Sequence, residues 1–284
     1  MSVVTRFAPS PTGDLHLGHI LAAKVARDLA KKSSGGIFLL RHEDIDGGRV
    51  KEECYDRIEE DLLWLGLGWD GEPLRQSSRL NAYATALGTI RDLGLAYPCF
   101  CTRKDIQAEI EKMLGASHGN QALLYPGICR NLDPRETEKR IAKGEPHTWR
   151  LHSAQALDFH GKISFQDISH GTAPVDLMVN GDVVLARKDI GTSYHLAVVV
   201  DDAFQDVTHV TRGEDLLGAT HVQRQLQAIL GYPEPVYLHH GLVRDENGIR
   251  LAKRDAAQSI RTLRESGLSP AEILEMAEQA ITQA

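Results

Sequence analysis

The stretch at residues 6–19, RFAPSPTGDLHLGH, places two histidines where a short apolar run passes into a helical pattern. His16 and His19 are three residues apart, so one helical turn brings them to the same side. A helix N-terminus attracts phosphate through its free N–H groups and its dipole. Two imidazoles there could donate hydrogen bonds to a phosphoryl group as it gains charge, and Gly18 would let a flat ring approach the backbone. A lone histidine is more often a surface or capping residue, but this pair and its context predict a phosphoryl-binding site.

The elements around this stretch predict a parallel sheet. Residues 3–7 and the run GIFLLRHED at 36–44 have the character of strands, and residues 19–32 that of a helix that the SSGG sequence ends. Helices are also predicted at 52–65 and 79–93. A strand–helix–strand unit with this spacing implies a parallel sheet with a right-handed crossover. Ligands of such sheets bind at the carboxyl ends of the strands, which is where both histidines follow the first strand.

The rest of the chain predicts further strands and helices around a segment of different texture. Residues 98–175 are rich in turns and hold three of the four cysteines, so we interpret them as an inserted subdomain. Strands are predicted at 175–179, 183–185, 196–200 and 237–243, a helix at 220–230, and two short helices in the last thirty residues. The expected fold is α/β: a Rossmann-type doubly wound parallel sheet with an inserted zinc-containing subdomain and a short C-terminal helical region. The predicted segments are 1–97 and 176–242 for the sheet domain, 98–175 for the insert, and 243–284 for a loop and helices.

Composition limits the class of protein. Hydrophobic residues make up 42% and charged residues 25% of the 284 residues, which is ordinary for a soluble globular protein. The net charge of −7 argues against bulk attraction to nucleic acid, although a local basic patch could still supply it. Apolar runs such as 196–200 are too short to span a bilayer, and the N-terminus lacks the pattern of a secretion signal. We therefore expect a cytoplasmic protein that does not bind membranes. A monomer is also expected, but composition does not determine the oligomeric state.

The two histidines carry a resemblance to a known family. His16-Leu17-Gly18-His19 is similar to the HIGH signature of class I aminoacyl-tRNA synthetases, and the wider stretch resembles their glutamyl branch. RLAKR at 250–254 resembles the second signature, KMSKS, in which Lys253 would neutralise the leaving pyrophosphate of ATP. Arg250 and Ala252 replace Lys and Ser there, which keeps the charge but loses a hydroxyl. The alternative for 250–254 is a basic loop without a catalytic role.

The resemblance implies a glutamate pocket, and its chemistry follows from charge. Glutamate offers two carboxylates and one ammonium, and buried unpaired charges are costly. Arginine suits a carboxylate through its planar fork, so Arg6 and Arg212 are expected to hold the carboxylates, in either order. Glu43 could take the ammonium, and Tyr194 could add a hydroxyl. These four residues match glutamyl-family pocket positions, as do Ala8, Pro9 and Ser10, while His16, Gly18, His19 and Lys253 are expected to bind ATP with its Mg²⁺.

Three cysteines predict a metal site. The pattern Cys99-x-Cys101 followed by Tyr125-x₃-Cys129 resembles the zinc site of the family, C-x-C … Y-x₃-C. Structural zinc is normally tetrahedral with thiolate ligands, and the phenol of Tyr125 would be an unusual fourth ligand. His118 is a competing ligand on general chemistry, and cysteines without metal are the alternative. Cys54 stands alone in a helical pattern and is expected to be an ordinary helix residue.

The acceptor of the glutamate is also implied by resemblance. Full-length glutamyl-tRNA synthetases carry a large anticodon-binding region after KMSKS, whereas this sequence continues for about thirty residues after Arg254. It therefore resembles the glutamyl-queuosine tRNA(Asp) synthetases, which activate L-glutamate with ATP without needing tRNA. They transfer it to queuosine at the wobble position of tRNA(Asp). The alternatives are a truncated glutamyl-tRNA synthetase that charges a tRNA 3′ end, and a non-enzymatic tRNA-binding paralogue.

Overall fold

Two mostly parallel sheets lie side by side in the computed structural model, which describes residues 2–114, 124–243 and 259–282. The first sheet has the order β1-β2-β3 and the second the order β7-β6-β10-β9. Their strands are β1 (Val4–Phe7), β2 (Ile37–His42), β3 (Leu74–Arg75), β6 (Ser164–Asp167), β7 (Gly171–Pro174), β9 (His209–Gly213) and β10 (Val236–His240). All pairs are parallel except β6 with β7. The protein is therefore α/β with a parallel sheet, as predicted.

The two sheets meet between β1 and β9. The Val4 N–H donates to Thr208 Oγ1 at 2.8 Å, and the Thr208 N–H donates to the Val4 carbonyl oxygen at 3.0 Å. This contact gives the strand sequence β3-β2-β1-β9-β10-β6-β7 across the molecule. The chain progresses in opposite directions on the two sides of β1 and β9, and this reversal opens a crevice at the carboxyl ends of these strands.

Helices cover the parallel sheets and form the core with them. Helix α1 follows β1 and packs on β1, β2 and β9, with Ile20, Ala23 and Ala26 fully buried. Gly36 ends the turn after α1, where a Cβ would lie 1.8 Å from the Ala30 carbonyl oxygen. The helices of this layer are α1 (Leu17–Lys31), α2 (Glu53–Trp64), α3 (Leu80–Asp92), α7 (Tyr194–Phe204) and α8 (Leu217–Leu230).

A separate antiparallel sheet, β4-β5-β8, carries the region with the cysteines. Its strands are β4 (Ala96–Cys99), β5 (Thr148–Leu151) and β8 (Val184–Ala186), and its neighbours along the chain are α4 (Arg103–Leu114), α5 (Pro134–Ala142) and α6 (Ser153–His160). Residues 98–175 thus contribute β5 to this sheet but β6 and β7 to the parallel sheet beyond β10.

The C-terminal helices α9 (Ile260–Glu265) and α10 (Pro270–Thr282) pack against α1 and its preceding loop. The Ile260 N–H donates to the Leu15 carbonyl oxygen at 2.9 Å, and Lys24 on α1 pairs with Glu278 at 2.6 Å. Among the described residues, no helix is long and apolar enough to cross a bilayer.

Two strand predictions are wrong. The run 196–200 lies inside α7, whose residues Leu196–Asp202 are all buried. A short continuous apolar run fits a buried helix as well as a buried strand, and periodicity alone does not separate them. At 175–179, the Asp176 carboxylate accepts from the Met178 N–H at 2.8 Å and caps a single 3₁₀ turn, Leu177–Val179. The run 183–185 does form a strand, β8, but in the antiparallel sheet.

Candidate active site

The carboxyl ends of β1, β2, β9 and β10, together with the first turns of α1 and α7, surround a cavity of about 730 Å³, here called the first cavity. Ten residues predicted from the sequence line it. They are Arg6, Ala8, Pro9, Ser10, His16, Gly18, His19, Glu43, Tyr194 and Arg212. Lys253 lies outside the described residues, as does the whole of 250–254. The structure thus brings residues that are up to 206 positions apart into one cavity, because each follows a strand end or begins a helix at the same edge of the sheet.

The histidine pair forms the start of α1. His16 is the N-cap residue, and its Nδ1 accepts from the Gly18 N–H at 3.1 Å. The His19 Nδ1 in turn accepts from the His16 N–H at 3.2 Å. Because both Nδ1 atoms accept, each neutral ring carries its proton on Nε2. The rings lie 3.8 Å apart between centroids, so two Nε2–H donors stand side by side at a helix N-terminus.

The ring of His16 lies so close to Gly18 that it explains why this position has no side chain. A Cβ at this position would lie 3.0 Å from Cε1 of His16 and 3.1 Å from its Nδ1. The flat ring that approaches the backbone in this structure is therefore the imidazole of His16 itself. A larger side chain would displace that ring from its capping position.

Arg6 is held by a shared carboxylate. Its Nε donates to Asp202 Oδ1 at 2.9 Å and its Nη1 to the Thr211 carbonyl oxygen at 3.3 Å. Asp202 also accepts from Arg41 Nη2 at 2.6 Å, and Arg41 is fully buried beneath the cavity. Burial would raise the pKa of Asp202, but the two guanidinium groups hold it below its ordinary value. One buried anion therefore balances two buried cations beside the cavity.

Arg212 is held by uncharged groups instead. Its Nε donates to His239 Nε2 at 3.1 Å, its Nη1 to Gln223 Oε1 at 2.6 Å and its Nη2 to Thr220 Oγ1 at 2.5 Å. In the described part of the chain, it forms no ion pair with a carboxylate. Among the described residues, the positive charge of Arg212 is therefore not neutralised by a carboxylate.

Glu43 and Tyr194 complete the polar wall. Burial raises the pKa of Glu43 to about 7, against the opposing charges of Arg41 and Arg6. Within the described residues, its carboxylate has no hydrogen-bond partner. Burial likewise raises the pKa of Tyr194, which keeps its hydroxyl protonated and able to donate.

A second cavity of about 950 Å³ adjoins the first and shares Ser10, Glu43 and Tyr194 with it. It extends to the antiparallel sheet and the start of α4. Its basic lining comprises Arg49, Arg103, Arg150, Arg187 and Lys188. Asp46 and Asp189 also line it, and both pair with Arg187. The basic residues of this second cavity were not predicted, because they come from four separate segments that only the fold assembles.

Cys99, Cys101 and Cys129 cluster at the end of β4, with their Sγ atoms within 4.8 Å of one another. The Tyr125 hydroxyl lies 3.2 Å from Cys99 Sγ, and it accepts from the Cys129 N–H at 2.9 Å. Thiolates on a tetrahedral zinc, each at about 2.3 Å from it, lie roughly 3.8 Å apart, so this donor set suits the ion. His118 lies outside the described residues, whereas Cys54 is buried on α2.

The guanidinium of Arg150 connects this cluster to the second cavity. It stacks over the Tyr125 ring at 3.7 Å from the centroid, while its Nη1 donates to the Asp182 carbonyl oxygen at 2.8 Å. The cysteine cluster therefore supports part of the wall of the second cavity.

Sequence reasoning did not find the residues that hold the two arginines. Four of these supporting residues do not face the first cavity, and their residue types do not indicate which residues they contact. They are Asp202, Arg41, His239 and Asp167. A signal did exist for Asp202, because a charged pair at 201–202 ends an apolar run and is buried. Buried charge in such a position requires a partner.

A sheet whose strand order reverses beside β1, with an imidazole pair at the first helix, is the architecture of class I synthetase catalytic domains. The family described as "tRNA synthetases class I (E and Q), catalytic domain" matches residues 2–280. This chain belongs to that family and is a ligase-type enzyme.

Individual relatives agree with this placement. The chain is 47% identical to a glutamyl-Q tRNA(Asp) synthetase of Rhodobacter capsulatus, over 95% of this chain and 98% of the relative. It is 39% identical to a glutamate–tRNA ligase of Aquifex aeolicus, over 94% of this chain and 55% of that ligase.

Among solved structures, it is similar to a glutamate tRNA ligase of Elizabethkingia meningosepticum in complex with its amino acid. The TM-score is 0.77 at 29% identity, covering 94% of this chain and 54% of that one. The chain thus spans about half the length of these ligases.

Proposed function

We propose that the protein activates L-glutamate with ATP and transfers it to queuosine at the wobble position of tRNA(Asp). The observation that carries the proposal is the content of the first cavity: two guanidinium groups, two imidazoles, and one carboxylate without a hydrogen-bond partner in the described ranges. This set complements an amino acid with two carboxylates next to a triphosphate. The 47% identity to a glutamyl-Q tRNA(Asp) synthetase, against 39% to a glutamate–tRNA ligase, favours queuosine as the acceptor.

The activation step needs no protein nucleophile. One oxygen of the glutamate α-carboxylate attacks the α-phosphorus of ATP in line, the bond to the β-phosphate oxygen breaks, and glutamyl-adenylate and pyrophosphate form. The Nε2–H groups of His16 and His19 would donate to phosphate oxygens as charge develops. Arg6 and Arg212 would hold the carboxylates, Glu43 the ammonium, and Tyr194 would donate its hydroxyl. Lys253 and Mg²⁺ would neutralise the pyrophosphate, and the protein's contribution is positioning and charge stabilisation.

We propose that the nucleotide acceptor enters through the second cavity. This cavity touches the first at Glu43 and Tyr194, where the activated carboxyl would lie. Its basic side chains suit the phosphates of a single-stranded loop, in which bases can be turned outward. A cyclopentene hydroxyl of queuosine would then attack the carbonyl carbon of the adenylate. AMP would leave, and the ester would remain on the base.

We further propose that the cysteine cluster holds a structural zinc ion, with Tyr125 as the fourth ligand. The ion would cross-link β4 to the segment around Cys129 and thereby brace residues 98–175 as an insert between the two halves, 1–97 and 176–242. Metal analysis of the purified protein should give one equivalent of zinc, and Cys101→Ser should lose it. A wild-type protein purified without added chelator that contains no zinc would contradict this assignment.

One experiment separates the candidate functions. Glutamate-dependent exchange of pyrophosphate into ATP is measured first without tRNA, and transfer of labelled glutamate is then measured to tRNA(Asp) with and without queuosine. We expect exchange without tRNA, and transfer only to the queuosine-containing tRNA, with the labelled glutamate on the anticodon fragment after nuclease digestion. Exchange that requires tRNA, or an ester at the 3′ end, would instead identify a glutamate–tRNA ligase. If no adenylate formed at all, the protein would be a tRNA-binding paralogue.

A further inference from the structure

A chain of buried hydrogen bonds runs from Arg212 away from the first cavity. His239, on β10, accepts from Arg212 Nε at its Nε2 atom, at 3.1 Å. The Nδ1 atom of the same ring lies 2.5 Å from Oδ2 of Asp167, at the end of β6. All three side chains are at least 95% removed from solvent. The chain thus connects the cavity to a strand that lies on the far side of β10.

The donors and acceptors of this chain have a single consistent arrangement. A guanidinium can only donate, so His239 Nε2 must offer a lone pair to Arg212. The proton of the neutral ring therefore sits on Nδ1 and is donated to the Asp167 carboxylate. Burial lowers the pKa of His239 to about 4, so the ring stays neutral near pH 7. This tautomer is opposite to the one found for His16 and His19.

Asp167 is itself fixed on both of its oxygens. Its Oδ1 accepts from the N–H groups of Ser169 and His170, at 2.8 and 2.9 Å, and its Oδ2 accepts from His239. Three donors thus converge on one carboxylate from two sides. The hairpin between β6 and β7 orients this carboxylate, which in turn orients the imidazole.

We propose that Asp167 and His239 are positioning residues for substrate recognition: they hold the Arg212 guanidinium in place without neutralising it, so that its full charge acts on a glutamate carboxylate. Because the neutral ring of His239 lies between them, the carboxylate of Asp167 does not contact the Arg212 guanidinium directly. Arg6, by contrast, is paired directly with Asp202 at 2.9 Å. This inference rests on the proposed function in so far as glutamate is the ligand.

Asp167→Asn tests the arrangement with almost no change in shape. An amide offers one oxygen where the carboxylate offers two. If that oxygen faces Ser169 and His170, the amide N–H₂ faces His239 and forces its proton onto Nε2, against the donor of Arg212. If the oxygen faces His239, the amide N–H₂ faces two backbone N–H groups. Either orientation sets donor against donor, and the first selects the wrong tautomer.

The first measurement is glutamate binding at equilibrium, by calorimetry, on the full chain. For Asp167→Asn we expect the Kd for glutamate to rise about tenfold or more, while the Kd for ATP changes by less than about threefold. Asp182→Asn is the matched control, because Asp182 is also buried and accepts from Tyr97, Arg130 and Ser153, away from Arg212. An unchanged Kd for glutamate in Asp167→Asn would overturn the proposal.

The second measurement is independent of glutamate. Proton–nitrogen correlation spectra of protein labelled in its histidine rings should show His239 as an Nδ1–H tautomer, beside rings such as His147, His160 and His240, whose Nδ1 atoms face carbonyl oxygens. This signal should vanish in His239→Phe, which assigns it among the 13 histidines. In Asp167→Asn this signal should change to that of the Nε2–H tautomer where the amide N–H₂ faces the ring, or shift with loss of the charged acceptor where the amide oxygen faces it. An unchanged His239 signal would contradict the orienting role of Asp167.

His239→Phe provides a second variant for the test if Asp167→Asn fails to fold. The phenyl ring can neither accept from Arg212 nor donate to Asp167, so glutamate binding should weaken by at least as much. In the double variant the two effects should not add, because both interrupt one chain. Additive effects would indicate separate structural damage. If wild-type protein bound no glutamate, the proposed function would fail. The tautomer spectra would still show whether Asp167 orients the ring of His239.

Discussion

At the scale of single residues, the site is defined by how its charges are balanced beneath the surface of the first cavity. Arg6 and Arg41 share Asp202, Arg212 is held by neutral groups, and Glu43 has no hydrogen-bond partner within the described chain. A ligand with two negative charges and one positive charge would complete this arrangement. The charge of the ligand thus follows from which buried groups are already paired.

Glu43 makes glutamate binding depend on pH. Its pKa is raised to about 7 in the free protein, so below pH 7 it is largely protonated, and an incoming ammonium would displace that proton. We expect the affinity for glutamate to rise about tenfold per pH unit below pH 6 and to level off above pH 7. Calorimetry in buffers of different ionisation enthalpy should show release of one proton at pH 6. Glu43→Gln should bind more weakly and lose the release, and an unchanged pH profile in this variant would exclude Glu43 as the ammonium partner.

Asp202→Asn should damage both stability and substrate binding. Removing the anion leaves Arg6 and Arg41 buried together without compensation, which costs about 3–5 kcal/mol of unfolding free energy in comparable cases. Because Arg6 would also lose its anchor, the KM for glutamate should rise. Asp201→Asn is the control, since Asp201 is equally buried but binds Gln76, Arg79 and Tyr83. Equal KM values in the two variants would show that Asp202 does not position Arg6.

At this scale the sequence predicted the residues that face the cavity and missed those behind it. Arg6, Glu43 and Arg212 stand at strand ends in a recognisable context. Asp202, His239 and Asp167 act through contacts across β1, β9, β10 and β6, and these contacts depend on strand order. No local pattern reports strand order, so these residues could not be paired from the sequence.

At the scale of elements, the packing of α9 on α2 leaves one buried carboxylate without a partner. Arg261 and Arg264 both pair with Glu60, at 3.2 and 2.9 Å. The next residue, Asp61, is 1% exposed, and neither of its oxygens has a hydrogen-bond partner among the residues that the structure describes. Burial raises the pKa of Asp61 to about 6, so its charge opposes folding at neutral pH.

Asp61→Asn should therefore stabilise the protein, and only above the acidic range. The folded state holds the Asp61 proton up to about pH 6 while the unfolded chain releases it near pH 4, so this group weakens folding as the pH rises between these values. We expect a gain of about 2 kcal/mol in unfolding free energy at pH 7.5, vanishing by pH 4. The measurement is urea unfolding at both pH values. Asp56→Asn on the exposed side of α2 should change stability by less than about 0.5 kcal/mol, and a similar gain there would refute the account.

At the scale of the whole molecule, the two cavities divide the reaction. The first lies at the reversal of strand order in the parallel sheets, and the second lies between these sheets and the antiparallel sheet that carries the cysteines. They meet at Glu43 and Tyr194. Under the proposed function, activation belongs to the first cavity and the nucleic acid to the second, although the net charge of the chain is −7.

Lys188→Ala should weaken the binding of tRNA more than that of glutamate. Removing one cation that meets a phosphate lowers the number of ions released on binding, so the slope of log K against log salt should fall by about one. Filter binding of tRNA(Asp) between low and physiological salt gives this slope. Lys32→Ala is the control, because Lys32 follows the C-terminal end of α1, 15 residues of helix away from His16. An equal change in both variants would mean that the second cavity is not the tRNA site.

The sequence by itself determined the parallel sheet, the histidine pair at its first helix, the charged groups of the first cavity and the cysteine set. These features are local: each is a strand end, a cap or a short spacing, and local sterics and hydrogen bonds govern them.

Only the tertiary structure decided that 196–200 is a helix, that β8 belongs to the antiparallel sheet, and that Arg6 and Arg212 are balanced differently. The physical reason is that burial and pairing depend on which distant elements meet. An apolar run indicates that a packing partner is needed, and a buried charge indicates that an ionic or hydrogen-bonding partner is needed. The arrangement of the strands determines which residue that partner is.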